Sequence, residues 1–305
     1  MEIMIKIPKL EHFDHLIEAG LVKVKNYDEL CVLKYNNKVF YENRWNEDRL
    51  LNEARGIVFD KLTGEAVIWP FTKVFNHHEN GTELDLDTQV IAPRKINGFM
   101  ASARWYHDEL LISTTGTLDS EYVAMARKHI EKLNTGSFMD SFTYLFEIVD
   151  VTDPHIVEEK EGAWLIGMRN MQAGWMASEG FLDLEALQIN ALRPEVIKAT
   201  FKDVLLATLE CQHEGFMVRL AGSQETVMKL KSPHYLSKKF LMRMGQKKVD
   251  QMFDDKEEFI KTIDEEFYRV VHWITRWHSK EDWKGLSDVQ RRERIEGYFD
   301  NLRGE

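Results

Sequence analysis

With 40 Lys and Arg against 51 Asp and Glu, the 305 residues carry a formal net charge of −11, and 44 % of the chain is hydrophobic. That balance excludes a disordered chain and a basic nucleic-acid coat, while leaving room for a local basic groove. At roughly 100 to 200 residues per domain, the length suits one large domain plus a smaller one. The two cysteines, Cys31 and Cys211, lie far apart with no partner at metal-ligand spacing, so neither a disulfide framework nor a zinc knuckle is expected, and a reducing cytoplasm is the natural setting. No window approaches the ~18 uninterrupted apolar residues of a membrane span, and charges interrupt every apolar stretch of the amino terminus; neither a signal peptide nor a membrane partner is expected.

No internal repeat or low-complexity tract breaks the chain. From Glu29 to about Leu118, short β-rich runs alternate with turn residues: VLKYN, RGIVFD, AVIWPF, VIAPRKING, ASARWY and ELLISTT. Asp119 or Ser120 then caps a predicted helix whose apolar positions Tyr122, Val123, Met125, Ala126, Ile130 and Leu133 recur every three or four residues, with Gly136 as a stop. Strand signals return in FTYLFEIVDV and AWLIGMRN, Leu182 to Gln212 reads as mostly helical, and EGFMVRL and TVMKLKS form a last strand pair. After Pro233 the strand-like runs stop. Phe253, Phe259, Ile260, Ile263, Phe267, Val270, Val271, Ile274 and Trp277 make an apolar stripe at helical spacing. The expected class is α+β: antiparallel sheets with flanking helices over residues 1–244, then a small all-helical domain over 245–305.

Within VIAPRKINGFMASARWY, Lys95 precedes Asn97 and Gly98 between two strands. Taken alone, K-x-N-G is an ordinary turn. Further along come Glu147 ending an aromatic strand, Glu214 and Gly215 opening another, and Lys229 and Lys231 alternating on a third, so that both amines share one face of it. A lysine can attack phosphorus only when unprotonated, and a free one titrates near ~10.4. Lys229 and Lys231 are expected to depress the pKa of Lys95 and to bind phosphates. A carboxylate such as Glu214 suits a divalent metal. His77 and His78 are consecutive and so point to opposite faces of a strand, which argues against metal ligation. Tyr235 reads equally as a cap on the lysine strand or as an anchor for the following helix.

The order, types and spacing of these segments resemble the covalent nucleotidyltransferases, the superfamily of ATP-dependent ligases and capping enzymes, and most nearly the phage-type RNA ligase 1 (tRNA-repair) family. ARGIVFD with Arg55, and FTKVFNHHEN with Lys73, Phe75 and Asn76, match two further segments of that family, and the likeness runs from about Glu53 to Lys239. It implies an ATP-grasp-like ligase fold and an ATP- and Mg²⁺- or Mn²⁺-dependent RNA ligase, acting as a monomer on RNA such as cleaved tRNA. Lys95 would be the nucleophile, assisted by Lys229 and Lys231. Arg55, Lys73, Phe75, Gly98, Glu147 and Glu214 would line the nucleotide site, Glu147 on the ribose and Glu214 also on the metal. Two positions depart from the family pattern: Asn97 replaces its usual aspartate, and Thr115 stands where it has a lysine. The alternatives are a capping enzyme or DNA ligase, or a binding module that kept the fold without turnover. Capping enzymes and DNA ligases commonly append an OB-fold, against which the helical tail argues.

Overall fold

The computed structural model describes residues 7–153 and 155–301; the outermost residues of both expected domains lie outside that range. Twelve strands follow in chain order: Val22–Asn26 (β1), Leu30–Tyr35 (β2), Arg55–Asp60 (β3), Ala66–Ile68 (β4), Gln89–Pro93 (β5), Phe99–Tyr106 (β6), Glu109–Thr114 (β7), Phe142–Val149 (β8), Gly162–Asn170 (β9), Val196–Thr200 (β10), Gly215–Leu220 (β11) and Thr226–Lys231 (β12). They form three antiparallel four-stranded sheets, ordered β1-β2-β3-β4, β10-β5-β11-β12 and β7-β6-β8-β9.

Each sheet buries an apolar face against its own helices. The β6–β9 sheet packs Ala101, Ala103, Phe146 and Leu165 against Val123 and Ala126 of helix Glu121–Ile130 and Leu182 and Ala186 of helix Glu179–Ile189. Ser120 caps the first of these helices, its hydroxyl accepting from the Val123 N–H, and the helix ends at Ile130, well before Gly136. In the second sheet, Val90, Phe216, Met228 and Leu230 pack on Phe201 and Val204 of helix Phe201–Glu210. Between the two helices lies β10, an edge strand paired to β5 in a stretch that reads as helical. Half-exposed apolar residues on an edge carry little alternation, which is why the period of two is faint there.

Beyond β12 the chain is helical. Ser232 caps helix Pro233–Arg243 by accepting from the Tyr235 N–H, and proline at its start suits a position where a missing N–H costs nothing. Tyr235, Leu236 and Phe240 of this helix enter one apolar cluster with Val249, Met252, Phe259, Val270, Ile274, Trp283 and Ile295. No described helix is long and apolar enough to cross a membrane, and no disulfide joins Cys31 and Cys211.

Candidate active site

Lys95 lies just past β5, where its N–H donates to the Gly215 carbonyl at 2.8 Å, so its backbone is pinned to the start of β11. Glu214 immediately precedes that strand, and the pairing brings the Lys95 Nζ to 3.0 Å from Glu214 Oε1. The turn Lys95–Gly98 then carries the chain into the neighbouring sheet. There Gly98 touches β8 so closely that a Cβ would sit 2.2 Å from the Ile148 carbonyl oxygen, and its backbone N–H acts to lower the Glu147 pKa against the burial that raises it. Gly215, at φ +135°, allows an equally close approach to Leu230. Backbone proximity thus joins two sheets around Lys95, Glu147 and Glu214.

Asn97 explains its own departure from the family pattern. Its Oδ1 accepts from the Ile156 and Val157 N–H groups at 2.9 and 3.1 Å, and its Nδ2 donates to Glu214 Oε2 at 2.9 Å. The two backbone donors fix the amide orientation, leaving only the NH₂ for Glu214. An aspartate could make the first contacts but not the last.

On β12 the alternation is as expected. Met228 and Leu230 are buried in the sheet core, and Lys229 and Lys231 project from the other face opposite Met217 and Gly215. The Phe75–His77 segment runs alongside: the Lys229 N–H donates to the Phe75 carbonyl at 2.9 Å and the His77 N–H to the Lys229 carbonyl at 3.2 Å. This places Lys73 and Phe75 beside Lys229. The Lys73 Nζ lies 3.5 Å from Glu79 Oε1 and 5.1 Å from the Phe75 ring centroid, while Phe75 stands edge-on to Trp45. His77 and His78 lie in a turn rather than on a strand, their rings stacked 3.6 Å apart, so the opposite-faces argument does not apply to them. Tyr235 belongs to the helical core, and the Lys231 Nζ lies 5.7 Å from its ring centroid.

The electrostatics correct one expectation. Burial pushes the Lys95 ammonium down, but Glu214 and Glu147 outweigh it, and the pKa stands above its ordinary value; the cation acting on it is Arg55. The depressed lysine is Lys229. Burial, then Lys231 and Lys73, push it down to about 7. The sequence pattern identified a lysine beside other cations, yet could not place the two glutamates closer to Lys95 than the amines.

Arg55, on β3, acts on Lys95, Glu147 and Lys229 alike. Among the described residues neither it nor Lys229 has a carboxylate within ion-pair distance. Partly buried cations with no carboxylate at ion-pair distance fit an anionic ligand such as a polyphosphate. Two residues at the site, Glu159 and Arg94, escaped the sequence reading. Glu159, with its side chain 2 % exposed, pairs through Oε2 with Arg94 at 2.6 Å, while its buried Oε1 has no hydrogen-bond partner among the described residues. Burial, and Glu214 nearby, raise the Glu159 pKa. An orphaned carboxylate oxygen next to a second acid fits a hard divalent cation, and each Glu214 oxygen keeps a spare lone pair beyond its present contact. No motif signals Glu159, since its role comes from a loop folding back.

No family model matches the sequence, and no curated protein matches it. Solved structures do. A protein assigned as an ATP-dependent DNA ligase from Aquifex aeolicus superposes with a TM-score of 0.61 at 14 % identity, over 95 % of this chain and 78 % of that one. An archaeal ATP-dependent RNA ligase superposes in two forms, with TM-scores of 0.61 and 0.59 at 13 and 12 % identity, over 94 and 96 % of this chain and 75 and 77 % of theirs. The fold is that of the ATP-dependent ligases. At such identities the likeness is one of fold, which agrees with the nucleotidyltransferase architecture expected from the motifs, and the helical carboxy-terminal part lies within the superposed range.

Proposed function

We propose that this chain is an ATP-dependent RNA ligase of the phage RNA ligase 1 type, joining RNA 5′-phosphate and 3′-hydroxyl ends in RNA or tRNA repair. On this reading residues 1–244 form the adenylyltransferase domain and 245–305 a helical domain, acting as a cytoplasmic monomer. The observation that carries it is Lys95 set 3.0 Å from Glu214, with Arg55 and Lys229 acting around it and, among the described residues, no carboxylate at ion-pair distance from either.

The Lys95 amine attacks the α-phosphorus of ATP; a P–N bond forms, the bond to pyrophosphate breaks, and the ammonium proton passes toward the Glu214 carboxylate that already accepts it. Arg55, Lys229 and Lys231 are fixed cations suited to the charge that develops on non-bridging oxygens, where preorganised donors contribute most. Glu147, next to Gly98, offers an acceptor to ribose hydroxyls, and Phe75 a ring to the adenine. Glu214, with Glu159 beside it, would hold Mg²⁺ or Mn²⁺, which would supply charge neutralisation at the phosphates. In the later steps AMP moves to an RNA 5′-phosphate, and a 3′-hydroxyl displaces it.

The equal likeness to the Aquifex protein favours one rival, DNA joining. Intact-mass measurement after incubation with Mg²⁺ and either ATP or GTP tests the first step. An added AMP that disappears in Lys95→Ala is the expected result, whereas a GMP adduct indicates capping and no adduct overturns the enzyme reading. Circularisation of 5′-phosphorylated RNA should follow; sealing of DNA nicks alone would move the assignment to DNA.

A further inference from the structure

The cations of the cleft fall into two halves. Among the described residues, Arg55 and Lys229 have no carboxylate at ion-pair distance, whereas Lys231 and its neighbour Lys239 do. Both of their ammonium groups converge on a single side chain, Glu266. Lys231 donates to its Oε2, and Lys239 donates to its Oε1 at 2.5 Å while also lying 2.8 Å from Asp264 Oδ2. The Glu266 side chain is 8 % exposed, and those of Lys231 and Lys239 are 11 % and 10 %. Tyr235 lies beneath both amines, its ring centroid 5.7 and 5.8 Å away.

Glu266 does not belong to the sheets. It sits on the single 3₁₀ turn Glu265–Phe267 that leads into helix Tyr268–Trp277, and the next residue, Phe267, is buried against Phe240 with ring centroids 5.3 Å apart. The helical part therefore inserts one anchored carboxylate into the lysine strand of the sheet part. Lys231 and Lys239 hold that carboxylate well below its usual range despite its burial, so it stays ionised at neutral pH.

Two ammonium groups closing on two oxygens of one buried anion is how lysines also grip a phosphate. A second anion arriving at the same amines meets a fixed negative charge in a poorly solvated cleft, where like charges repel far more than in water. We propose that Glu266 occupies the seat of a nucleotide phosphate on Lys231 and Lys239, so that an incoming triphosphate has to displace this carboxylate and loosen the turn that carries it. The inference rests on the nucleotidyltransferase reading of the cleft and adds the residue that controls entry of the polyphosphate.

Inorganic tripolyphosphate is the probe, because it needs neither adenosine nor chemistry, and calorimetry on the full chain carrying Lys95→Ala is the measurement. Adding Glu266→Gln, which keeps size and removes charge, should tighten binding by about tenfold, within the usual 5- to 150-fold range of coupling between sites. Glu266→Asp keeps the charge and should bind within a few-fold of the Lys95→Ala parent. Binding unchanged or weaker in the Gln variant, with a melting transition like that of the parent, overturns the proposal, because the carboxylate would then support the lysines and not compete for them. Should the Gln variant fail to fold, hydrogen exchange on the parent decides: tripolyphosphate should speed exchange of backbone amides at 262–268, and unchanged or slower exchange there refutes displacement. Lysyl-AMP formation is scored separately. Tighter tripolyphosphate binding without any AMP adduct on the wild type would sink the ligase reading and leave the seat intact.

Discussion

Lys229 is the residue whose ionisation the fold alters most usefully. Its amine projects into a cleft with Lys231 and Lys73 nearby, and burial together with these two cations brings its pKa to about 7. In the unfolded chain the same amine keeps its proton up to about 10.4. Between those values the unfolded state binds more protons than the folded one, so stability attributable to this site rises with pH across the window, and the cost of folding is fully present below pH 7. Lys229→Met removes the cost and keeps most of the volume. Its melting temperature should exceed that of the wild type by about 2 °C or more at pH 6.5, with the gap shrinking steadily toward pH 10. A gap independent of pH would mean that the amine is solvated and ordinary. The same group explains a preference for anions: near neutrality the site takes up a proton as a phosphate arrives, so ligand binding and protonation support each other.

At the scale of elements, the site depends on two strand ends and one turn touching without side chains between them. Gly98 is where this is least negotiable, because no rotamer change relieves a methyl group 2.2 Å from the backbone oxygen of Ile148. Gly98→Ala should lower the melting temperature by several degrees and, on the proposed ligase reading, reduce the initial rate of lysine adenylylation at least tenfold, since a shift of the Lys95 turn misplaces the proposed nucleophile. Gly136→Ala is the control, having no atom within 4 Å of the added carbon; equal effects from the two changes would refute the packing argument. Much of this architecture is legible in the chain. The alternation of Met228 and Leu230 with Lys229 and Lys231 announces both the strand and its charged face, and the Ser120 cap starts its helix where expected. What escapes is set by contacts between distant residues. β10 is stabilised by pairing to β5, not by its own pattern, and the acid that pairs with Lys231 lies 35 residues away in a helical tail whose periodicity speaks only of its apolar face. The raised pKa of Lys95 escapes for the same reason: Glu214 is 119 positions downstream, and only the backbone pairing of Lys95 with Gly215 brings it into contact.

Across the whole molecule, a chain of net charge −11 keeps two partly buried cations, Arg55 and Lys229, with no carboxylate at ion-pair distance among the described residues. Overall repulsion of a polyanion and local attraction to it have opposite consequences for RNA. A protein that coats RNA neutralises many phosphates and loses affinity steeply with salt, with a slope of about −0.7 per neutralised phosphate on single strands. Here Lys73 faces Glu79, Lys95 faces Glu214 and Lys231 faces Glu266, so full neutralisation of an RNA phosphate falls to Arg55 and Lys229, and the paired lysines contribute only as their carboxylates are displaced. The slope of log affinity against log salt for a short 5′-phosphorylated RNA, on a Lys95→Ala chain that lacks the Lys95 charge, should therefore lie between about −1.4 and −2.8, corresponding to two to four phosphates. Fluorescence anisotropy on the Lys95→Ala chain, which blocks reaction, gives this slope directly. Arg55→Ala should flatten it by about 0.7 while leaving a finite slope. A value steeper than about −5 would require cations outside the cleft, and the acidic surface would then be masking a second RNA-binding face.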